Sequence, residues 1–146
     1  MVIVTIVINT IIKDKAVYFV SVFKTRLFHK WAVKQGISDD QLVLTIQEIE
    51  NGQIDANYGG GLYKKRVANK GRGKRKSART LLAVKINDRA FFLYGFEKNQ
   101  RANITDKEKT AYKILAKNFL NMTNDELNKL LEKGSLVKAT QEKMEE

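Results

Sequence analysis

The sequence predicts an α+β domain in which helices pack on an antiparallel β-sheet. Two stretches with helical spacing of apolar residues follow an N-terminal strand, three stretches rich in β-branched and aromatic residues occupy the middle, and two capped helical stretches end the chain. The order of elements is therefore βαα–βββ–αα. A chain of 146 residues is long enough for one domain with a hydrophobic core.

The N-terminal segment is predicted to lie outside this domain. The opening MVIVTIVINTII is too short to span a bilayer, and it lacks the basic region and the cleavage site of a signal peptide. Charged residues at 13–15 end the run, and a better strand, AVYFVSVF at 16–23, follows at once. We therefore expect residues 1–15 to be an extension, residues 16–139 to form the domain and residues 140–146 to be a polar tail.

Two helices are predicted after this strand. The first is Thr25–Gln35, and Gly36 fits the residue just past its end. The second begins at Ser38, the first residue of a capping-box sequence SDDQ, and stops at Gly52. The apolar face of the first helix consists of Leu27, Phe28, Trp31 and Ala32.

The middle of the chain is predicted to form three strands. They are LYKKRVA at 62–68, RTLLAVKI at 79–86 and RAFFLYGF at 89–96. Asn87 and Asp88 separate the last two, which indicates a tight hairpin. The ten residues 69–78, NKGRGKRKSA, are too polar and glycine-rich for a regular element, so we expect a mobile basic loop.

Two further helices are predicted at the C-terminal end. Thr105 and Thr123 each open a capping box, and Gly134 ends the second helix. The residues expected to face inward on the first of these helices are Ala111, Ile114, Leu115 and Phe119.

The positive charge is concentrated in the middle of the chain. Residues 56–104 carry 13 basic and 2 acidic side chains, which accounts for the whole net charge of +11, while the segments before and after are neutral. Solubility alone does not require such an arrangement, whereas a site for a polyanion does.

The alternation of a strand predicts where these cations point. Lys64 and Arg66 share one face of the first basic strand, and Arg79 lies on the face opposite to Thr80, Leu82, Val84 and Ile86, which are expected to be buried. Such a face could hold a nucleic-acid backbone, with Tyr94 and Phe96 stacking on bases of single-stranded RNA. The alternative is an ordinary solvated sheet face with the aromatic residues in the core.

The residue types limit the chemistry. The chain has no cysteine, and the basic segment holds no carboxylate pair, metal-ligand cluster or Ser–His–Asp set, so we expect neither a metal nor a cofactor. The absence of cysteine suits a reducing cytoplasm, which is the expected location. The sequence GRGK in the loop lacks the spacing of a phosphate-binding P-loop.

RNA cleavage is compatible with these residues, because the 2′-hydroxyl of RNA can attack the adjacent phosphate without a protein nucleophile. Arg79 suits the charge of the transition state, since a guanidinium group makes bidentate contacts with phosphate. A lysine among other cations is a candidate general base, and Tyr94 or a second lysine is a candidate acid. Composition alone does not assign these roles.

The segments GGGLYKKRVANKGRGKRKSARTLLAV and DRAFFLYGFEKNQRANI resemble the HigB branch of the RelE-type toxins of bacterial toxin–antitoxin pairs. The resemblance runs from about Val22 to Val137. It implies a RelE-like fold, a small mRNA interferase that acts on mRNA in the translating ribosome, and a helix-turn-helix antitoxin as partner. The sequence contains no apolar run of about 18 or more residues that could span a bilayer, so we also expect no membrane association.

The resemblance and the charge pattern together name the expected site residues. The catalytic candidates are Lys64, Arg66, Arg79 and Tyr94. The RNA-binding candidates are Lys70, Arg72, Lys74, Arg75, Lys76, Lys98 and Arg101.

One part of the site departs from the family pattern. The family loop usually reads GKSGGYR, whereas this chain has GKRKSAR, so that Lys76 and Ser77 replace glycines and Ala78 replaces the aromatic residue before the arginine. Two alternatives therefore stay open beside the mRNA interferase. One is a protein that binds RNA or the ribosome without cleaving, and the other is a gyrase-inhibiting toxin like ParE.

Overall fold

Residues 20–68 and 77–140, which the computed structural model describes, form a mixed sheet with two helices on each face. The elements in chain order are β1 (Ser21–Thr25), α1 (Arg26–Gln35), α2 (Asp39–Glu50), β2 (Ala56–Gly59), β3 (Leu62–Ala68), β4 (Ser77–Lys85), β5 (Arg89–Glu97), α3 (Asp106–Leu120), α4 (Asn124–Lys133) and β6 (Leu136–Lys138). The predicted α+β class, with C-terminal helices, is confirmed, whereas the sheet, predicted to be antiparallel, is mixed because β1 pairs parallel to β5.

The strands of the sheet lie in the order β2-β3-β4-β5-β1-β6. Strands β2 to β5 form an antiparallel meander, β1 pairs parallel to β5, and β6 pairs antiparallel to β1. The sequence did not predict β2 or β6, because segments of four and three residues are too short to show an alternation.

The helix boundaries follow the capping signals. Threonine or serine at each N-cap accepts a hydrogen bond from the backbone of the first turn, and α2, α3 and α4 have complete capping boxes. The glycines after α1 and α4 adopt the left-handed conformation that ends a helix. The N-cap residues are Thr25, Ser38, Thr105 and Thr123.

The sheet separates two hydrophobic cores. Phe91 and Phe92 are adjacent in β5, point to opposite faces and are both fully buried. Phe92 stacks on Phe28 of α1 with ring centroids 5.0 Å apart, and Phe91 stacks on Phe119 of α3 at 4.8 Å. The central strands are thus buried on both sides, which explains their almost continuous apolar sequence.

Four residues predicted to be buried are exposed. Leu27 is 67% exposed, because the buried stripe of α1 runs through Phe28 and Ala32 instead. Ile114 is 60% exposed, since α3 buries Ala116 and Phe119 and leaves the neighbouring face to solvent, where the predicted Ala111 also lies. Ile86 is 46% exposed, because β4 ends at Lys85 and residues 86–88 form the hairpin turn.

The predicted strand boundaries differ by two or more residues in two places. The first strand, predicted at 16–23, runs from Ser21 to Thr25 within the described residues. Strand β4 begins at Ser77, two residues earlier than predicted. The predicted extension at 1–15, most of the predicted loop at 69–78 and nearly all of the polar tail at 140–146 lie outside the described residues, so those predictions and the domain limits stay predictions.

Candidate nucleic-acid interface

Four of the predicted site residues share one face of the sheet. Arg66 of β3 lies directly opposite Arg79 of β4, and Lys64 lies opposite Leu81, which in turn lies opposite Tyr94 of β5. Residues directly opposite each other in an antiparallel ladder point to the same side. The register therefore brings Lys64, Arg66, Arg79 and Tyr94 onto the face that also carries α3, and we call these four residues the cationic face.

The two arginines form a like-charged cross-strand pair. Residues in such a pair have Cβ atoms about 4.5–5.5 Å apart, and like charges directly opposite are destabilising. Arg66 is exposed and Arg79 is half-buried. An anion that contacts both guanidinium groups turns this repulsion into attraction, and a phosphate group has the geometry to accept bidentate hydrogen bonds from arginine.

Lys65 does not belong to the cationic face. Its side chain points to the opposite side of the sheet, is buried and forms an ion pair with Glu48 of α2 at 3.1 Å. Its carbonyl oxygen accepts a hydrogen bond from the hydroxyl of Thr80 at 2.8 Å. Strand β3 therefore has one cation in a structural role, Lys65, and two on the cationic face, of which Arg66 is exposed and Lys64 is half-buried.

A bulge in β5 places Tyr94 on the cationic face. Leu82 pairs with Phe92, but the adjacent Leu81 pairs with Tyr94, so that Leu93 is an extra residue. Simple alternation would put Tyr94 on the same side as Phe92, against α1 and α2. The bulge reverses the alternation, as such irregularities often do beside functional sites.

The ring of Tyr94 lies in an aromatic stack. It stacks on Phe96 and on Tyr112 of α3, with ring centroids 5.8 Å apart in each case. Phe96 is only 2% exposed, so the prediction that it offers a surface for RNA bases is wrong. Tyr94 and Tyr112 are half-buried. Burial raises the pKa of Tyr112 above its ordinary value, and nearby Tyr94 and Glu108 raise it further.

Arg101 contacts groups of its own chain. Its Nη2 and Nη1 atoms donate to the two carboxylate oxygens of Glu108 at 2.6 Å and 3.0 Å, and its Nε donates to the carbonyl oxygen of Asn103 at 3.0 Å. Nη1 also lies 3.5 Å from the hydroxyl of Tyr94. The hydrogen bond with Glu108 raises the pKa of Arg101 and lowers that of the carboxyl group to about 2.

Sequence reasoning missed Glu108 and Tyr112. Glu108 has an evident role in the capping box of α3, which hid its contact with Arg101. Tyr112 follows Glu108 by four residues, and residues so spaced lie on one side of a helix. That spacing, together with Arg101 shortly before the helix, is the sequence signal that could have indicated the contact of Glu108 with Arg101 and the position of Tyr112 beside it.

Of the remaining predicted RNA-binding residues, the structure describes only Lys98. Lys98 is exposed in the turn after β5. The loop cations lie outside the described residues; they are Lys70, Arg72, Lys74, Arg75 and Lys76. Within residues 20–68 and 77–140 no cluster of three metal-ligating side chains is present. In the same part of the chain no helix is long and apolar enough to cross a membrane.

Comparison with known proteins identifies a family for this chain. A search among curated proteins gave no significant match. Residues 20–139, which include the whole sheet, match the protein family described as the RelE toxin of the RelE / RelB toxin-antitoxin system. The chain therefore belongs to the RelE toxin family of toxin–antitoxin systems.

Proposed function

We propose that this chain is an mRNA endonuclease of the HigB branch, which cleaves ribosome-bound mRNA by attack of the RNA's own 2′-hydroxyl group. Membership of the RelE toxin family supports a toxin that acts on translation. The observation that carries the proposal is the direct cross-strand pairing of Arg66 and Arg79, on the same sheet face as Lys64 and Tyr94.

The arginine pair is suited to the scissile phosphate. In the attack by the 2′-hydroxyl the phosphate gains negative charge, and preorganised cations at that point lower the barrier. Strands hold both arginines on a rigid sheet, so they need little reorganisation when the charge develops. Arg79 is the half-buried member of the pair, and we assign it to the scissile phosphate, with Arg66 on the adjacent backbone.

Two groups then transfer the protons. Lys64 lies two residues before Arg66 on β3, at the next position on the same face. It pairs with Leu81, which in turn pairs with Tyr94. We assign Lys64 as the general base for the 2′-hydroxyl and Tyr94 as the general acid for the leaving 5′-oxygen. In this step the 2′-oxygen forms a bond to phosphorus, the bond to the 5′-oxygen breaks, and the products carry a 2′,3′-cyclic phosphate and a 5′-hydroxyl group.

The change at residue 78 does not argue against cleavage. Ala78, at the position where the family usually has an aromatic residue, is buried in the core against α1 and α2. Residue 78 therefore points away from the cationic face, and an aromatic side chain there would not reach RNA bound at Arg79. The basic loop residues would add phosphate contacts and ribosome affinity rather than catalysis.

The partner of this toxin is proposed to be a helix-turn-helix antitoxin. The RelE family implies an antitoxin partner. Co-expression of the chain with the protein encoded beside it, followed by purification of a stable complex, tests this assignment. A neighbouring protein that neither binds the chain nor relieves growth inhibition would contradict it.

Primer extension on a defined mRNA in a reconstituted translation system tests the proposed reaction. We expect cleavage that requires ribosomes, falls at least about a hundredfold in Arg79→Ala and persists in Arg26→Ala, a matched control in an exposed arginine of α1. Translation arrest with intact mRNA would instead identify a binder that does not cleave. Intact mRNA together with DNA-damage signalling in cells would favour the gyrase inhibitor.

A further inference from the structure

The side chain of Arg101 is held by groups of its own chain. The bidentate contact with Glu108 engages both Nη atoms at 2.6 Å and 3.0 Å, and Nε is engaged by the carbonyl oxygen of Asn103. Paired, charge-assisted hydrogen bonds of this kind fix the position and the plane of a guanidinium group. These contacts and the one with the Tyr94 hydroxyl direct four of the five guanidinium N–H donors to groups of the chain. A bidentate contact with an RNA phosphate would therefore require Arg101 to leave the Glu108 carboxylate.

Glu108 is itself fixed by the start of α3. Its Oε1 atom accepts a hydrogen bond from the backbone N–H of Thr105 at 2.8 Å, and its own N–H donates to the Thr105 hydroxyl at 3.1 Å. The capping box thus holds the carboxylate, and the carboxylate holds Arg101. A rigid helix end is in this way connected to a side chain of the loop after β5.

The chain of contacts ends at Tyr94. Nη1 of Arg101 points at the Tyr94 hydroxyl oxygen at 3.5 Å, and Phe96 and Tyr112 stack against the ring. The guanidinium group is a donor only, so the tyrosine oxygen must accept in this contact. The proton of the Tyr94 hydroxyl is then directed to another acceptor, as a general acid requires.

We propose that Arg101 is a positioning residue that orients the Tyr94 hydroxyl through the Glu108 clamp, and that it does not contact RNA. The catalytic half of this inference rests on the proposed cleavage function. The structural half is that the orientation of the Tyr94 hydroxyl depends on Arg101 and Glu108, and it does not rest on that function. This assignment replaces the RNA-binding role that the charge pattern predicted for Arg101.

Glu108→Gln distinguishes the two roles by the sign of its effect. If Arg101 binds RNA, removing the carboxylate releases the guanidinium group, so binding tightens and cleavage does not fall. If Arg101 positions Tyr94, the same variant loosens the clamp, and we expect single-turnover cleavage to fall roughly tenfold or more. Arg101→Lys, which retains the charge but not the bidentate geometry, should lose activity to a similar extent with an unchanged KM.

The double variant Tyr94→Phe/Arg101→Lys completes the kinetic test. Because Arg101 acts through the Tyr94 hydroxyl, Arg101→Lys should cause little further loss once that hydroxyl is absent. Binding of a cleavage-resistant RNA at several salt concentrations gives a second readout. Loss of a phosphate contact lowers the slope of log K against log salt by about 0.7–1; we expect such a decrease for Arg66→Ala and none for Arg101→Gln.

NMR provides a readout that does not depend on activity. In protein labelled with ¹³C at tyrosine Cζ, and with the Tyr94 signal identified from Tyr94→Phe, that signal should shift in Arg101→Lys and in Glu108→Gln but not in the control Arg26→Ala. An unmoved Tyr94 signal, or wild-type cleavage by Arg101→Lys, overturns the inference. If the wild type does not cleave, the proposed function fails, and the NMR result still decides whether Arg101 holds Tyr94.

Discussion

Arg66 and Arg79 lie directly opposite each other across the β3–β4 ladder, on the face of the sheet that also carries Tyr94. Two like charges in such a pair destabilise a sheet. Under the proposed function, the pair is retained because it binds an anion, at a cost in folding stability. Function and stability are therefore expected to respond in opposite directions when the pair is broken.

Arg66→Ala should stabilise the fold while it weakens RNA binding. Relief of the like-charge pair is expected to raise the free energy of unfolding by about 0.2–1 kcal/mol, the usual range for a cross-strand pair. Urea denaturation measures this change, with Lys30→Ala on the exposed side of α1 as the control. A variant less stable than the wild type would show that the arginine pair is not repulsive, and would remove the main physical support for an anion site.

Lys24→Met should destabilise the fold. Lys24 is only 2% exposed, and its ammonium group lies 2.6 Å from Asp39 and 3.0 Å from Nδ1 of His29. Removal of the lysine leaves a partly buried carboxylate without its cation, which should cost about 2–3 kcal/mol, less than for a fully buried pair because Asp39 keeps some solvent contact.

The size of this effect can be checked by urea denaturation of Lys24→Met and of Lys24→Met/Asp39→Asn. The second change removes the orphaned charge, so it should recover part of the lost stability. If Asp39→Asn lowers the stability of Lys24→Met as much as it lowers that of the wild type, the two residues do not act as a pair.

Gly95→Ala should disturb the packing of Trp31. A Cβ atom at residue 95 would lie 2.2–2.5 Å from three atoms of the Trp31 ring, far closer than van der Waals contact. The indole ring or the strand must therefore move, and we expect a loss of about 1–3 kcal/mol in the free energy of unfolding.

Fluorescence reports this change directly, because Trp31 is the only tryptophan in the sequence. We expect a shifted emission maximum and a lower midpoint of thermal unfolding for Gly95→Ala. Trp31→Phe in the same protein should recover part of the stability, since a smaller ring leaves room for the methyl group. Unchanged emission and unfolding would mean that the ring does not pack on Gly95.

The sequence predicted the elements with strong local signals better than it predicted the position of Tyr94. Capping boxes and the helix-ending glycines are local features, so the helix limits agreed with the structure. The placement of Lys64, Arg66 and Arg79 on one face also follows from the alternation of side chains along β3 and β4 and from the pairing of these two consecutive strands. Local residue types are sufficient for these features.

Features that depend on register or on distant contacts were not predictable in this way. Alternation along RAFFLYGF assigns Tyr94 to the same side as Phe92, and only the bulge at Leu93, which is a property of the pairing with β4, brings it to the cationic face. The ion pair of Arg101 with Glu108 likewise depends on how α3 packs on the sheet. The charge count placed Arg101 among the RNA-binding candidates but could not predict this ion pair.

The Arg101–Glu108 clamp should be insensitive to pH over the range in which translation can be assayed and should fail only in strong acid. Arg101 lowers the pKa of Glu108 from 4.5 to about 2. A carboxylate with a lowered pKa in the folded protein stabilises the fold fully above the pKa of the unfolded chain, near 4.5, and this stabilisation is lost as the pH falls toward 2. The wild type should therefore be more stable than Glu108→Gln at pH 7, and the difference should shrink between pH 4.5 and pH 2.

Thermal unfolding of both proteins across this range measures the difference. A gap that closes already near pH 6 would mean that another group controls the clamp, and any acid limb in the cleavage rate above pH 5 should then be sought in that group rather than in Glu108.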